Sequence, residues 1–317
     1  MVELPATPDV VSGIAFEVDD TPLIAAGDRL FTLDGDAWAT VPTDGISALA
    51  PPLRVAILDD STGFVLDAEG ALYRRTAPGG AWEPFNDDAT LASTTPVATV
   101  DGLIYMLGLP NGAGSSPMLL RGPADAAWRD SGIAVPVGCV PVPDPTSGVW
   151  CDRNDANGNR DGGLVHVDGT ASDEIDLAWG AAPALGDVIG LVGYTDGALL
   201  GASLGLAPHH GEVVAVDPRS GERSQRTAGS CDANDSAFDC SDDATPGAII
   251  YATLLAGDDL YELYARRDGD LPALLQLGED RWFVVVPELD GNRFALASDR
   301  DGRIHAYGGT RVLRLSR

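Results

Sequence analysis

Apolar residues fall along this chain in short bursts, and Gly, Asp and Pro stand between the bursts. A short apolar run bounded by turn residues predicts a β-strand rather than a helix. Period-two alternation is plain in VVAV (213–216) and RVLRLS (311–316), and no amphipathic stretch is long enough for a buried helix. The bursts also recur. DRLFTLDG (28–35), GALYRRT (70–76), SPMLLRG (116–122), GGLVHVDG (162–169), GEVVAVD (211–217), DLYELYARRDG (259–269) and GRIHAYGG (302–309) are variants of one segment. Their anchors Leu30, Leu72, Leu119, Leu164, Val213, Leu260 and Ile304 are 42, 47, 45, 49, 47 and 44 residues apart. A period of about 40 to 50 residues marks propeller blades of four strands each.

The spacing therefore predicts an all-β chain: a seven-bladed β-propeller of four-stranded antiparallel blades, as one domain over 1–317. The blades fall roughly at 12–50, 51–88, 89–134, 135–181, 182–230, 231–279 and 280–317. Residues 1–11 are an N-terminal extension or an edge strand. Blade 2 reads VAILDD (55–60), GFVLDA (63–68), ALYRRT (71–76), AWEPF (81–85). Blade 7 reads RWFVVVPEL (281–289), RFALASD (293–299), RIHAYG (303–308), RVLRLS (311–316). On this reading the last blade owns its fourth strand, and ring closure needs no strand from the N-terminus. A pair of stacked sandwiches is the competing architecture, and it would give less regular spacing. Trp38, Trp82 and Trp128 follow their anchors by eight to ten residues, and Trp179 extends the series. They are expected to pack between blades, with exposed sugar platforms as the sharper alternative.

Composition agrees with turn-rich β-structure, because 38 Gly and 22 Pro leave little room for long helices. Charge narrows function. The chain has 38 Asp, 10 Glu, 20 Arg and no Lys, for a net charge of −28. Such a surface repels phosphate backbones, so no nucleic acid is expected as a partner, and anionic membrane surfaces are disfavoured. The balance fits a GC-rich genome, a high-salt environment, or both. The excess of Asp over Glu points to turns, where Asp bonds its own backbone. No apolar run of membrane-spanning length occurs, so no membrane insertion is expected. MVELPATPDVV lacks a basic segment followed by an apolar one, so it does not read as a signal peptide. The chain is expected either not to be exported by that route or to be a mature protein with an added Met.

LFTLDGDAW and GALYRRTAPGGAWEPF resemble the hairpins of bacterial propellers of the tectonin, kelch and Asp-box kind. The second is closest to the tectonin pattern of a Gly-led LYRR strand followed by a Trp strand. Thr32, Asp34 and Trp38 approximate an Asp box, with Asp36 where that motif has Gly. The resemblance covers the repeat scaffold and implies the fold. Tectonin-like propellers often bind glycans or proteins, which is analogy for this chain.

Candidate chemistry is sparse. Four cysteines without a CxxC disfavour zinc ribbons and thioredoxin chemistry. The local pairing Cys139–Cys151 and Cys231–Cys240 is preferred over the other connectivities and over free thiols. It would staple polar segments rather than core strands and would imply an oxidising compartment. In CDRNDANGNRDGG (151–163), Asp155, Asn157, Asn159 and Asp161 alternate around Gly158. Hard cations such as Ca²⁺ take six to eight oxygens, and such loops deliver them. The stretch resembles the calcium loops of integrin-type propellers, with Asn159 and Arg160 as departures. CDANDSAFDCSDD (231–243) offers Asp232, Asn234, Asp235 and Asp239. Both segments read as Ca²⁺ candidates or as solvated loops. His166 and His305 fall at matching places in third strands and read as packing residues. His209 and His210 form a pair at a hairpin tip. The doublets Arg74–Arg75 and Arg266–Arg267 read as surface partners for Asp. GLPNGAGSSP (108–117) reads as a long hairpin loop. No nucleophile elbow, HExxH, P-loop or dinucleotide fingerprint occurs.

The first functional expectation is a non-catalytic recognition or scaffold module binding a protein or glycan, extracellular, on a cell surface or in a virion. The alternative is a Ca²⁺-dependent hydrolase or lyase on sugars or lactones. It would use inward carboxylates near first strands, with Asp59, Asp101, Asp144 and Asp196 as candidates. A third expectation is a docking part of a virion or secretion machine.

Overall fold

The structure is a computed structural model. It describes residues 2–46, 49–58, 61–85, 91, 96–110, 114–122, 127–137, 139–154, 160–175, 189–203, 212–228, 249–265, 271–278, 282–286, 289 and 295–315. Among these residues there is no helix, and the strands form seven four-stranded antiparallel sheets. The chain is a seven-bladed β-propeller.

Six blades are simple meanders. Blade 1 runs through Val11–Phe16, Pro22–Ala26, Arg29–Asp34 and Ala37–Thr40, and blade 2 through Arg54–Ile57, Gly63–Leu66, Leu72–Arg75 and Glu83–Pro84. First strands of neighbouring blades touch: Val11–Phe16 meets Arg54–Ile57, and Ile189–Thr195 meets Ile249–Ala256. They are therefore the inner strands of the ring. Space is tight there. A Cβ on Gly13 would lie 3.3 Å from Val55, and one on Gly193 would lie 2.5 Å from Leu255 of the next blade.

The seventh blade corrects the expectation from sequence. Trp282–Val286, expected to open it, pairs with Ala273–Leu277 as the outer strand of blade 6. Blade 7 consists of Ala295–Ser298, Ile304–Gly308 and Arg311–Arg314, and its outer strand is Val2–Glu3. Val2 faces Arg314 and Glu3 faces Leu313, so a strand from the N-terminus does close the ring. The repeat anchors show where the count slips. Leu30, Leu72, Leu119, Leu164 and Val213 lie on third strands, whereas Leu260 and Ile304 lie on second strands. The period is preserved through the slip, so spacing alone did not reveal it.

Burial follows from the ring. Each blade is covered on its two faces by its two neighbours, so its middle strands are buried on both sides and read as continuous apolar runs. Pro22–Ala26 and Ile104–Leu107 are buried throughout, and outer strands such as Ala171–Ile175 are largely exposed. VVAV (213–216), which looks alternating, is likewise buried at every position. Among the described residues the core forms seven apolar clusters, one in each seam between adjacent blades. Trp38, Trp82, Trp128 and Trp150 sit in these seams. Trp82 is buried with Leu23 and Leu30 of blade 1 and Leu53 at the start of blade 2. Trp38 donates its indole N–H to the Pro5 carbonyl at 2.7 Å, and Trp128 donates to that of Phe85 at 2.8 Å.

Cys139 and Cys151 form a disulfide. Both are fully buried in the apolar seam between blades 3 and 4, with Leu107, Leu120, Val149 and Val165. The pairing is as expected; its setting in core rather than in polar loop is not. Cys151 alternates inward on the strand Val149–Asn154, and that parity places it in the seam. Closing a loop of this length contributes about 3 kcal/mol. Cys231 and Cys240 lie outside the described residues.

One buried group stands against this apolar pattern. Glu262, on the second strand of blade 6, is 1% exposed, and neither of its carboxyl oxygens has a hydrogen-bond partner. It faces Thr253 across the sheet, whose buried hydroxyl also lacks a partner. Burial pushes its pKa up to about 8, so the native state holds a proton that the unfolded chain releases near its ordinary 4.5. Its contribution to stability is complete below 4.5 and is lost as pH rises through the folded value near 8. Between pH about 5.5 and 7 the unfolding free energy should fall with a slope approaching roughly 1.4 kcal/mol per pH unit, easing off toward the folded value near 8. Urea unfolding across that window measures the slope, and Glu262→Gln should flatten it.

Candidate functional site

In a meander the first–second and third–fourth turns lie at the same end of the strands, so all of them share one face of the ring. The first–second turns surround the inner strands there. Five of them have one build. In Glu17–Thr21, Leu58–Thr62, Thr99–Leu103, Asp144–Gly148 and Asp299–Arg303 the first N–H donates to the fifth carbonyl, at 2.9–3.0 Å. In four the fourth residue takes a positive φ: Asp20 (64°), Ser61 (71°), Gly102 (80°) and Gly302 (73°). This is the three-residue hairpin loop with a left-handed residue, which Gly, Asn and Asp tolerate best. The Asp excess is spent partly here.

Of the four carboxylates proposed from sequence for an enzyme, Asp101 and Asp144 fall in turns of this build and Asp196 in the first–second turn of blade 5. Asp101 and Asp196 are exposed, and Asp144 is buried. Asp59 lies outside the described residues. Asp144 is fully engaged. One oxygen accepts from the Thr146 hydroxyl (2.5 Å) and N–H (2.8 Å), the other from the Trp150 indole N–H (2.8 Å). Burial acts to raise its pKa, and these bonds outweigh it, leaving the carboxyl below 3.8. Asp299 stands at the equivalent place in blade 7. It accepts from Arg303 N–H at 2.8 Å and lies 3.2 Å from His305 Nε2. Desolvation holds His305 below its ordinary value despite that contact. His305 packs on Phe16 of blade 1, with ring centroids 4.5 Å apart. Its strand is the second of blade 7, whereas His166 is on the third strand of blade 4, so their expected equivalence does not hold.

The turns are tied across seams. Arg300 N–H donates to Asp20 at 2.9 Å, and its guanidinium reaches the Leu58 carbonyl at 2.9 Å, joining blades 7, 1 and 2. Thr195 of blade 5 donates to Asp258 of blade 6 at 2.5 Å.

Two open hollows, each about 310 Å³, flank the Asp19–Thr21 turn on this face. The first, at the closure seam, is lined by Leu4, Asp19, Asp20, Asp299, Arg303 and His305 among others. The second lies between blades 1 and 2, above a buried ion pair of Glu17 and Arg75. The sequence reading put both arginines of the Arg74–Arg75 doublet on the surface. Arg74 does pair there with Glu83, at 2.5 Å, but Arg75 is 2% exposed. Glu17 and Arg75 are 58 residues apart on different blades, and only the ring register brings them together.

Other sequence candidates are not assembled by the described structure. Asp155, Asn157, Asn159, Asp232, Asn234, Asp235 and Asp239 lie outside the described residues, as do His209, His210, Arg266, Arg267 and Trp179. Asp161 is on the strand Arg160–Asp168, with its side chain undescribed. Among the described residues no cluster of His, Cys, Asp or Glu has metal-site geometry. Part of the predicted loop 108–117 is strand, since Ser115–Arg121 is the third strand of blade 3.

No family model and no curated protein matches the chain. Solved structures do. YCF48 bound to D1 peptide superposes with a TM-score of 0.64 at 14% identity, covering 100% of this chain and 96% of that one. A GH74 xyloglucanase from Xanthomonas campestris gives 0.65 at 12% identity, covering 98% and 52%. The extracellular domain of a hybrid two-component system from B. thetaiotaomicron gives 0.59 at 12%, covering 98% and 39%. At these identities the likeness shows the propeller fold.

The engaged state of Asp144 gives a direct expectation. Asp144→Ala leaves the Trp150 indole without its acceptor and should cost about 3 kcal/mol at pH 7. The contribution is present above the ordinary 3.8 and is lost as pH falls through the lower folded value. Urea midpoints of variant and parent should therefore converge in acid.

Proposed function

We propose that this chain is a non-catalytic recognition propeller that seats a basic segment of a protein partner on the face bearing the first–second turns. One observation carries the reading: the first–second turns of blades 1, 3, 5, 6 and 7 present exposed carboxylates on that face, with an open polar hollow at the closure seam. Asp19, Asp20 and Asp299 line the hollow, and Asp101, Asp196, Asp258 and Asp301 stand exposed in neighbouring turns. A segment bearing Lys or Arg finds complementary charge at successive blades. The net charge of −28 steers it there and discriminates against acidic competitors.

Other features support a binding role. Asp144, the most buried of the candidate carboxylates for hydrolysis, is committed to Thr146 and Trp150. YCF48, similar in fold, is a propeller with a bound peptide. The buried Cys139–Cys151 disulfide favours an oxidising compartment, in keeping with a role outside the cytosol.

The test is an array of basic peptides of mixed sequence at physiological salt, followed by amide hydrogen exchange on the selected complex. Selective binding is expected, with protection over 17–21, 99–103 and 299–303. The double variant Asp19→Asn/Asp301→Asn should weaken binding by about tenfold or more. Protection confined to the opposite face, for instance over Asp67–Ala71, would contradict the proposal. So would turnover of a polysaccharide with no peptide selected.

A further inference from the structure

The Asp19–Thr21 turn is a ridge between two hollows of unlike chemistry. Asp19 and Thr21 line both, so the two are continuous across the turn. On the blade 7 side the lining is acidic, with Asp19, Asp20 and Asp299. On the blade 2 side it is largely apolar, with Val18, Val41, Pro42 and Pro78. Val18 sits at the tip of an acidic turn and is 50% exposed, so covering it removes apolar surface from water. Glu17 and Arg75 lie at the base of the apolar side and are ion-paired with each other, so they present no net charge to an incoming group.

The acidic side keeps a surplus of negative charge. Arg303 and Arg314 also line it, against the three carboxylates. Arg303 is already engaged, 2.5 Å from Asp301 and 3.3 Å from Asp299. Asp19, on the ridge itself, accepts from Thr21 N–H at 3.0 Å. Its bonds to Thr21 hold the carboxyl below the ordinary range, so it is ionised at neutral pH, and it faces water.

We propose that the two hollows together read a bipartite motif in an extended partner segment: a Lys or Arg on the acidic side and, two positions away, an aliphatic side chain on the apolar side. The inference rests on the docking reading above and adds a second determinant to it. In an extended segment, side chains two positions apart point the same way and stand about 6.6–7 Å from each other. That pair can straddle one hairpin ridge, whereas adjacent residues point to opposite faces and fill only one hollow. Charge complementarity selects the basic residue, and exclusion of water from Val18 selects the aliphatic one. The apolar stem of Lys or Arg also suits Leu4, Pro22 and Leu33 on the acidic side. A second copy of this chain is a poor occupant, because two chains of net charge −28 repel.

The experiment titrates the whole chain by NMR with four peptides, GGKSLGG, GGKSSGG, GGKLSGG and GGSSLGG, each acetylated and amidated to remove terminal charge. GGKSLGG should bind at least about tenfold more tightly than GGKSSGG or GGKLSGG, and GGSSLGG should bind most weakly. Raising the ionic strength from about 0.15 M to about 1 M should weaken both GGKSLGG and GGKSSGG and preserve their ratio, because only the charged contact is screened. Thr40→Trp fills the apolar hollow from an exposed position, and Val18→Ser strips its wall. Each should bring GGKSLGG down toward GGKSSGG while leaving GGKSSGG unchanged, whereas Asp19→Asn should weaken both. GGKSLGG binding no better than GGKSSGG or GGKLSGG would overturn this inference and leave the docking reading standing. A preference that survives both Thr40→Trp and Val18→Ser would overturn it as well. Failure of every Lys-bearing peptide to bind would overturn both.

Discussion

A four-stranded blade has two apolar faces and can cover neither of them alone. Every blade in this chain therefore depends on the next, and the ring holds only when the last seam is shut. The apolar clusters lie between blades rather than within them, and the closing seam resembles the others: Leu4 and Val312 meet Val11, Ile14 and Phe31. What distinguishes that seam is its covalent ancestry, because its outer strand comes from the opposite end of the chain. Val2–Glu3 is short, and further contacts secure it. Glu3 accepts from the Arg311 guanidinium at 2.8 Å, Leu4 N–H donates to the Val312 carbonyl at 3.0 Å, and the Pro5 carbonyl receives the Trp38 indole. Residues from both ends of the chain thus form one blade, so local opening at the seam exposes the flanks of blades 7 and 1 together.

Polar groups adapt to this geometry in two ways. At the turns, carboxylates bond backbone N–H groups and reach across seams, which makes the acidic face rigid as well as charged. Within the seams, polar groups are rare and costly. Glu17 with Arg75 is one exception and Glu262 is another, and they differ in kind. The first is paired and lies beside an open hollow. The second is unpaired, away from either hollow, and makes stability depend on pH.

Sequence made the period legible because each seam demands an apolar strand at the same interval, whatever the residues around it. It could also place Trp38, Trp82 and Trp128, since a large ring recurring with the repeat has to be covered by the neighbouring blade. Strand identity was harder to read. WFVVV (282–286) looks like an inner strand because it is apolar, yet it is an outer strand of blade 6. Val2–Glu3 carries too few residues for any periodicity to register. The turn carboxylates were visible as candidates, but their engagement was not, since Asp144 and Trp150 meet only once the hairpin folds. Glu17 and Arg75 were invisible as a pair because their meeting depends on the blade-to-blade register.

The ring and its closure by residues near the N-terminus are the premise for both hollows, since one of them is lined by Leu4 itself. Deleting residues 2–5 and following thermal unfolding by calorimetry tests that premise most directly. The account predicts a single transition shifted down by at least about 5 °C, the equivalent of a loss of about 3 kcal/mol in a chain of this size. An unchanged midpoint with an unchanged transition would contradict it, because the seventh blade would then be complete without its N-terminal strand.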